Sequence, residues 1–181
     1  MIYLKNRKLL TVLVALAVIA LLVCGVLLYQ NHKKYSGSTL ESRELLLDKA
    51  LSKNNRTHWH IATETQIGDR LVSGAYSTDG KATLAVFKPA GNNNFKFMQS
   101  TNSQNDKVIF ATINVEESSY DLFWFNGAQT EYAEITYTIN GQPQEPKQYD
   151  TTQMNIITIE NNEKEYSVHA VYYDSEGNKY E

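Results

Sequence analysis

Two histidines flank a tryptophan in His58-Trp59-His60. On a β-strand, residues two apart point the same way, so both imidazoles face one side. That spacing suits Zn²⁺ or Cu²⁺, and His169 or Glu64 would have to supply a third ligand for a catalytic zinc. The bland alternative is a wet strand face with Trp59 turned inward. Asp174-Ser175-Glu176-Gly177-Asn178 places oxygen ligands at alternating positions, as calcium loops do. It lacks the length and the closing bidentate glutamate of an EF-hand, so a hairpin turn is the expectation. Glu116-Glu117 is adjacent rather than opposed and reads as a solvated loop. Asp121, Glu134 and Glu160 fall on strands, and a glycosidase-like pair would depend on a separation that spacing does not give.

Other chemistries are missing. Cys24 is the only cysteine, and it sits in the apolar leader. No nucleophile elbow, Ser-x-x-Lys pair, phosphate loop, dinucleotide fingerprint or His-Glu-x-x-His occurs. No catalytic residue, cofactor or metal is therefore assigned. The richest binding pattern is aromatic. Tyr120-Asp121-Leu122-Phe123-Trp124-Phe125 is apolar on both faces, Leu122 and Trp124 one way, Phe123 and Phe125 the other. Such a strand lies between two packed layers, or it exposes one aromatic set to a sugar or peptide. Eight of twelve tyrosines follow Glu116, and tyrosine suits binding surfaces because it joins apolar area to a polar tip. The expected ligand or partner surface is Tyr120, Phe123, Trp124, Phe125, Tyr132 and Tyr137.

The elements that position these residues begin with a membrane signal. Leu9 to Tyr29 is an uncharged run of 21 residues. As a helix it spans about 31 Å, the thickness of a bilayer hydrocarbon core. No small-residue cleavage site follows it, and Val23 stands where a bacterial lipobox before Cys24 would need a small residue. Residues 1–8 form a short basic head with Lys5, Arg7 and Lys8; Lys33 and Lys34 flank the far side. The positive-inside rule then favours a cytoplasmic head, a signal-anchor helix over 9–29 and a C-terminal domain outside the cytoplasm. A domain without cysteine suits a bacterium, particularly a Gram-positive one.

Residues 30–39 read as a flexible polar linker reaching about 17 Å. Residues 40–53 read as an amphipathic juxtamembrane helix, capped by a Ser38/Glu41 box and packed on the following domain. From Thr57 the hydrophobic period changes to two. Strands are expected at 59–66, 70–77, 81–88, 95–100, 107–114, 120–126, 134–139, 155–160 and 166–173, with a short end at 178–181. Turns fall at Asp79-Gly80 and at Asn140-Gly141, the latter a strong hairpin signal. Pro143 and Pro146 confine any returning strand to an edge. The fold class is mainly β, an antiparallel β-sandwich over 57–181. Charge divides it into two lobes. Residues 57–115 carry five basic and four acidic side chains, whereas residues 116–181 carry three and thirteen.

Ile135-Thr136-Tyr137-Thr138-Ile139-Asn140-Gly141 and Tyr166-Ser167-Val168-His169-Ala170-Val171-Tyr172-Tyr173-Asp174, with Gly177-Asn178, resemble bacterial immunoglobulin-like modules over about sixty residues. The resemblance implies an immunoglobulin-like second lobe and a spacer or adhesive role. Beyond Lys34 the chain carries 12 Lys and Arg against 20 Asp and Glu, the wrong sign for a nucleic-acid partner. The expected function is a single-pass, membrane-anchored, extracytoplasmic β-domain. It binds or assembles near the bilayer without catalysis, with a protein partner and with lipid around 9–29. The other reading is a carboxylate-dependent cell-surface hydrolase acting on glycan or cell wall.

Overall fold

The computed structural model describes residues 2–52, 56–103, 108–125 and 130–180. Lys53, Lys107, Asn126 and Glu181, expected at the ends of elements, lie outside them. Helix α1 covers Ile2–Lys34. Within it, Leu13–Asn31 is long and apolar enough to cross a membrane, and none of that window is buried against the rest of the chain. Leu21 and Leu28 are more than two-thirds exposed. By length and composition this segment is a candidate membrane anchor.

The linker departs from expectation. Helical structure continues to Lys34, so Tyr35–Thr39 alone separates α1 from α2, which covers Leu40–Leu51. These five residues are pinned rather than free. Phe95 N–H donates to Ser36 O at 3.0 Å, and Arg43 Nη1 donates to Gly37 O at 3.0 Å. Gly37 adopts φ +71°, and a Cβ there would lie 2.1 Å from Phe95 O. Only glycine meets both demands. The cap of α2 is one residue later than the sequence suggested: Thr39 and Ser42, not Ser38 and Glu41, form the reciprocal box. Polar residues crowd Ser36–Ser42, so several registers satisfy the spacing, and the docked Ser36-Gly37 selects one.

The β region is mainly antiparallel, in three sheets. The first holds β1 (Trp59–Ile67), β2 (Arg70–Ser77), β3 (Ala82–Pro89) and β4 (Phe95–Ser103) in chain order. The second places β6 (Ser118–Phe125) between β5 (Val108–Val115) and β10 (Ile156–Glu160). The third is built on β7 (Tyr132–Ile139) and β11 (Tyr166–Tyr173), with short β8 (Gln142–Pro143), β9 (Lys147–Asp150) and β12 (Lys179–Tyr180). The proline-flanked segments β8 and β9 both pair with β7. Asn140 and Gly141 have φ 50° and 78°, both positive as the β7–β8 turn requires.

A boundary at 115/116 would cut the hairpin of β5 and β6, which pair from Val108↔Phe125 to Val115↔Ser118. The division by charge is therefore not a division by sheet. The first sheet ends at Ser103, and the acidic surplus is spread over the second and third.

Three hydrophobic clusters hold these parts together. Val72, Leu84 and Val86 of the first sheet meet Ile109, Ile113, Leu122 and Trp124 of the second. Phe123, Phe125 and Ile157 of the second meet Ala133, Ile135 and Tyr172 of the third. On the other face of the first sheet, Leu47 of α2 packs with Trp59, Ala75, Ala85 and Phe87. Strand β6 thus feeds two cores at once, which explains why it is apolar on both faces. Trp124 is fully enclosed, donates Nε1–H to Met154 O at 3.0 Å, and lies against Tyr76 with centroids 4.9 Å apart. Its indole covers Gly74 so closely that a Cβ there would come within 2.5 Å of Cε2.

Candidate functional site: a tyrosine-lined groove over a buried aspartate

Asp121 alternates with the apolar residues of β6 and is wholly buried. Its carboxyl accepts four hydrogen bonds, two on each oxygen. Thr112 Oγ1 and Tyr166 OH reach Oδ1, both at 2.7 Å. Tyr137 OH at 2.9 Å and Asn161 Nδ2 at 3.0 Å reach Oδ2. Burying a carboxyl costs several kcal/mol unless every lone pair finds a donor, which four partners from four segments accomplish. The phenols respond to the same surroundings. Burial first, and then the bond donated to Asp121, push the Tyr137 hydroxyl far above the ordinary tyrosine range. Tyr166 moves the same way, also chiefly through burial. Both phenols stay protonated donors at physiological pH.

Above this network lies a groove of about 350 Å³. Tyr137 and Asn161, both held by Asp121, line it, and Ile135, Ile139 and Ile159 supply apolar wall. Gln144, Glu145, Lys147, Tyr149 and Glu160 complete the lining with charges of both signs. Gln144 N–H donates to Tyr137 O at 2.7 Å, tying the connection between β8 and β9 to the groove. Fixed phenol and amide groups beside apolar wall and mixed charge suit a ligand that presents both apolar and polar groups, as a peptide segment does.

The sequence-predicted aromatic surface separates into two sets. Phe123, Trp124 and Phe125 are at most 1% exposed, and Tyr120 packs at the edge of the first cluster. Their faces are spent on the core because β6 is the middle strand of the middle sheet. Tyr132 and Tyr137 belong to the third sheet. Tyr132 stacks on Tyr173 with centroids 4.6 Å apart, and Tyr137 lines the groove. Tyr149 joins them and was missed by sequence reasoning. Its only signal was its place beyond two prolines on an edge segment.

Most of the remaining candidates are engaged within the fold or face solvent. Trp59 is 3% exposed, while His58 and His60 face outward. His58 Nδ1 lies 2.9 Å from Asp48 Oδ2, and His60 Nδ1 lies 3.7 Å from Glu44 Oε1. Glu64, a suggested third ligand, pairs with Arg43 and accepts from Ser73 Oγ at 2.7 Å. Among the described residues no group of three His, Cys, Asp or Glu could hold a metal ion. Asp174 spends its carboxylate on its own turn, accepting from the Glu176 and Asn178 amides at 2.9 and 2.8 Å. Glu116 and Glu117 are exposed at the β5–β6 turn. A hydrolase acid must be held protonated. Asp79, Glu134 and Asp150 move the other way, for hydrogen bonds from Lys81, Gln148 and Thr152 respectively hold them below the usual range.

Comparison with protein-family models, curated proteins and solved structures finds no match to this chain.

Proposed function

We propose that this protein is a single-pass, membrane-anchored binding or assembly module of a bacterial cell surface, acting without catalysis beside the bilayer. The β region is read as an extracytoplasmic sandwich whose second lobe, residues 116–181, is immunoglobulin-like. Its groove takes a protein partner, with apolar wall and tyrosines gripping a segment and Lys147, Glu145 and Glu160 setting its charge pattern. The observation that carries the reading is the pinned junction. An unburied apolar helix is joined to the β region through a five-residue segment locked by Phe95 and Arg43. A partner held by the groove is thereby kept at a fixed height above the lipid.

The test is photocrosslinking in native membranes with p-benzoylphenylalanine at position 149. A discrete heavier adduct is expected, and it should vanish when Lys147 is also changed to Glu. Recovery of the monomer alone would overturn the reading. Protease added to intact cells should remove the β region, and a shielded C-terminus would overturn its placement.

A further inference from the structure

We propose that the junction between α1 and α2 binds the phosphate of an anionic lipid headgroup, an inference that rests on α1 lying in a bilayer. Two ammonium groups from different elements converge on one ring there. Lys34 Nζ stands 5.6 Å and Lys49 Nζ 5.2 Å from the centroid of Tyr35. Lys33 lies one residue before Lys34, and Lys33, Lys34 and Ser38 line a cleft of about 370 Å³ between the two helices. None of the three lysines makes an ion pair with a described residue. Two acids are near. Glu41 is an exposed residue of the cleft lining. Asp48 is engaged by His58 and by the Trp59 amide at 2.7 Å.

Position selects the anion. The apolar window of α1 ends at Asn31, and Tyr35 N–H still donates to Asn31 O at 3.3 Å. Lys33 and Lys34 therefore follow within about 5 Å of helix rise, at headgroup depth. Tyrosine at that depth is an ordinary interfacial anchor. Leu45 lines the cleft and Leu40, at the start of α2, is 47% exposed, so apolar side chains accompany the lysines at this junction. Because Ser36 and Gly37 are fixed to Phe95 and Arg43, the fold holds Lys49 of α2 at the Tyr35 ring, in a second cleft lined by Tyr35 and Leu45, the latter shared with the first. Each lysine near an anionic surface is worth about fivefold in affinity.

The full chain reconstituted in vesicles of mixed phosphatidylglycerol and phosphatidylcholine tests this by native mass spectrometry of the retained lipid. Phosphatidylglycerol should be retained preferentially, by about fivefold for each lysine that engages it. The variant Lys33→Gln, Lys34→Gln, Lys49→Gln should lose the preference with unchanged β-sheet circular dichroism, and the three Lys→Arg changes should restore it. Equal retention of both lipids would overturn the proposal. So would displacement of phosphatidylglycerol by excess inorganic phosphate, which would assign the cleft to a free anion. Extraction of the chain by alkaline carbonate would overturn the anchor itself. A chain that resists carbonate and shows no lipid preference refutes this inference alone.

Discussion

Replacing Gly37 by alanine isolates the junction from the cores. The new methyl group meets two penalties. At φ +71° an L-residue costs about 1–2 kcal/mol relative to glycine. The Cβ would also stand 2.1 Å from Phe95 O, inside contact distance, so the segment must lift. Lifting breaks the Phe95 N–H to Ser36 O bond, worth about 1 kcal/mol, and releases Arg43 Nη1 from Gly37 O, a charged donor worth about 1.5–3 kcal/mol. The junction should open by roughly 3.5–6 kcal/mol, the sum of these terms. None of the three hydrophobic clusters contains Gly37, so the sheets should keep their melting temperature within a few degrees. Hydrogen exchange is the assay. Phe95 N–H should lose on the order of a hundredfold or more in protection, while the amides of β6 stay unchanged. Equal protection of Phe95 in both proteins would refute the argument that the junction is rigid.

Trp124→Ala should destabilise the β region by about 3–5 kcal/mol, because it empties a site shared by two sheets; urea unfolding measures it. Asp121→Ala strands four donors and should cost several kcal/mol in the same titration, whereas Tyr137→Phe should cost about 1 kcal/mol and leave the sheet intact. Alkali should unfold the protein. Tyr137 and Tyr166 have folded values above the unfolded value near 10, so their contribution is complete below about pH 10 and is lost as pH rises beyond it. Melting temperature against pH should bend down there, and less so in Tyr137→Phe. Arg43→Ala should loosen α2 from β1, since the part-buried Glu64 carboxylate would lose its guanidinium and keep only the bond from Ser73 Oγ; tryptophan emission of Trp59 reports the change.

The mainly antiparallel β class was legible because period-two patterns and turn residues are local signals. Strands β2 and β11 match their expected bounds, and the Asn140-Gly141 hairpin follows from two positive φ values. The two-faced apolarity of Tyr120–Phe125 carried both the core reading and the ligand reading, and burial on both sides is where the structure places it. What stayed hidden is long-range. The donors to Asp121 come from β5, β7, β11 and the loop at Asn161, so no spacing along the chain marks them as one site. The junction was missed for a related reason. A polar stretch with one glycine looks the same whether it is free or docked, and only the carbonyl of Phe95 shows why position 37 is glycine.

The carboxylates of α2 also answer a hazard of β architecture. Asp48 Oδ1 accepts from Trp59 N–H at 2.7 Å and Glu44 Oε1 from Ile61 N–H at 2.9 Å, standing where a neighbouring strand's carbonyls would otherwise pair. A soluble fragment trimmed to start at Thr57 would leave that border of β1 open and self-adhesive. One that starts before Ser36 keeps its own shield, so the smallest well-behaved unit includes the juxtamembrane turn and helix.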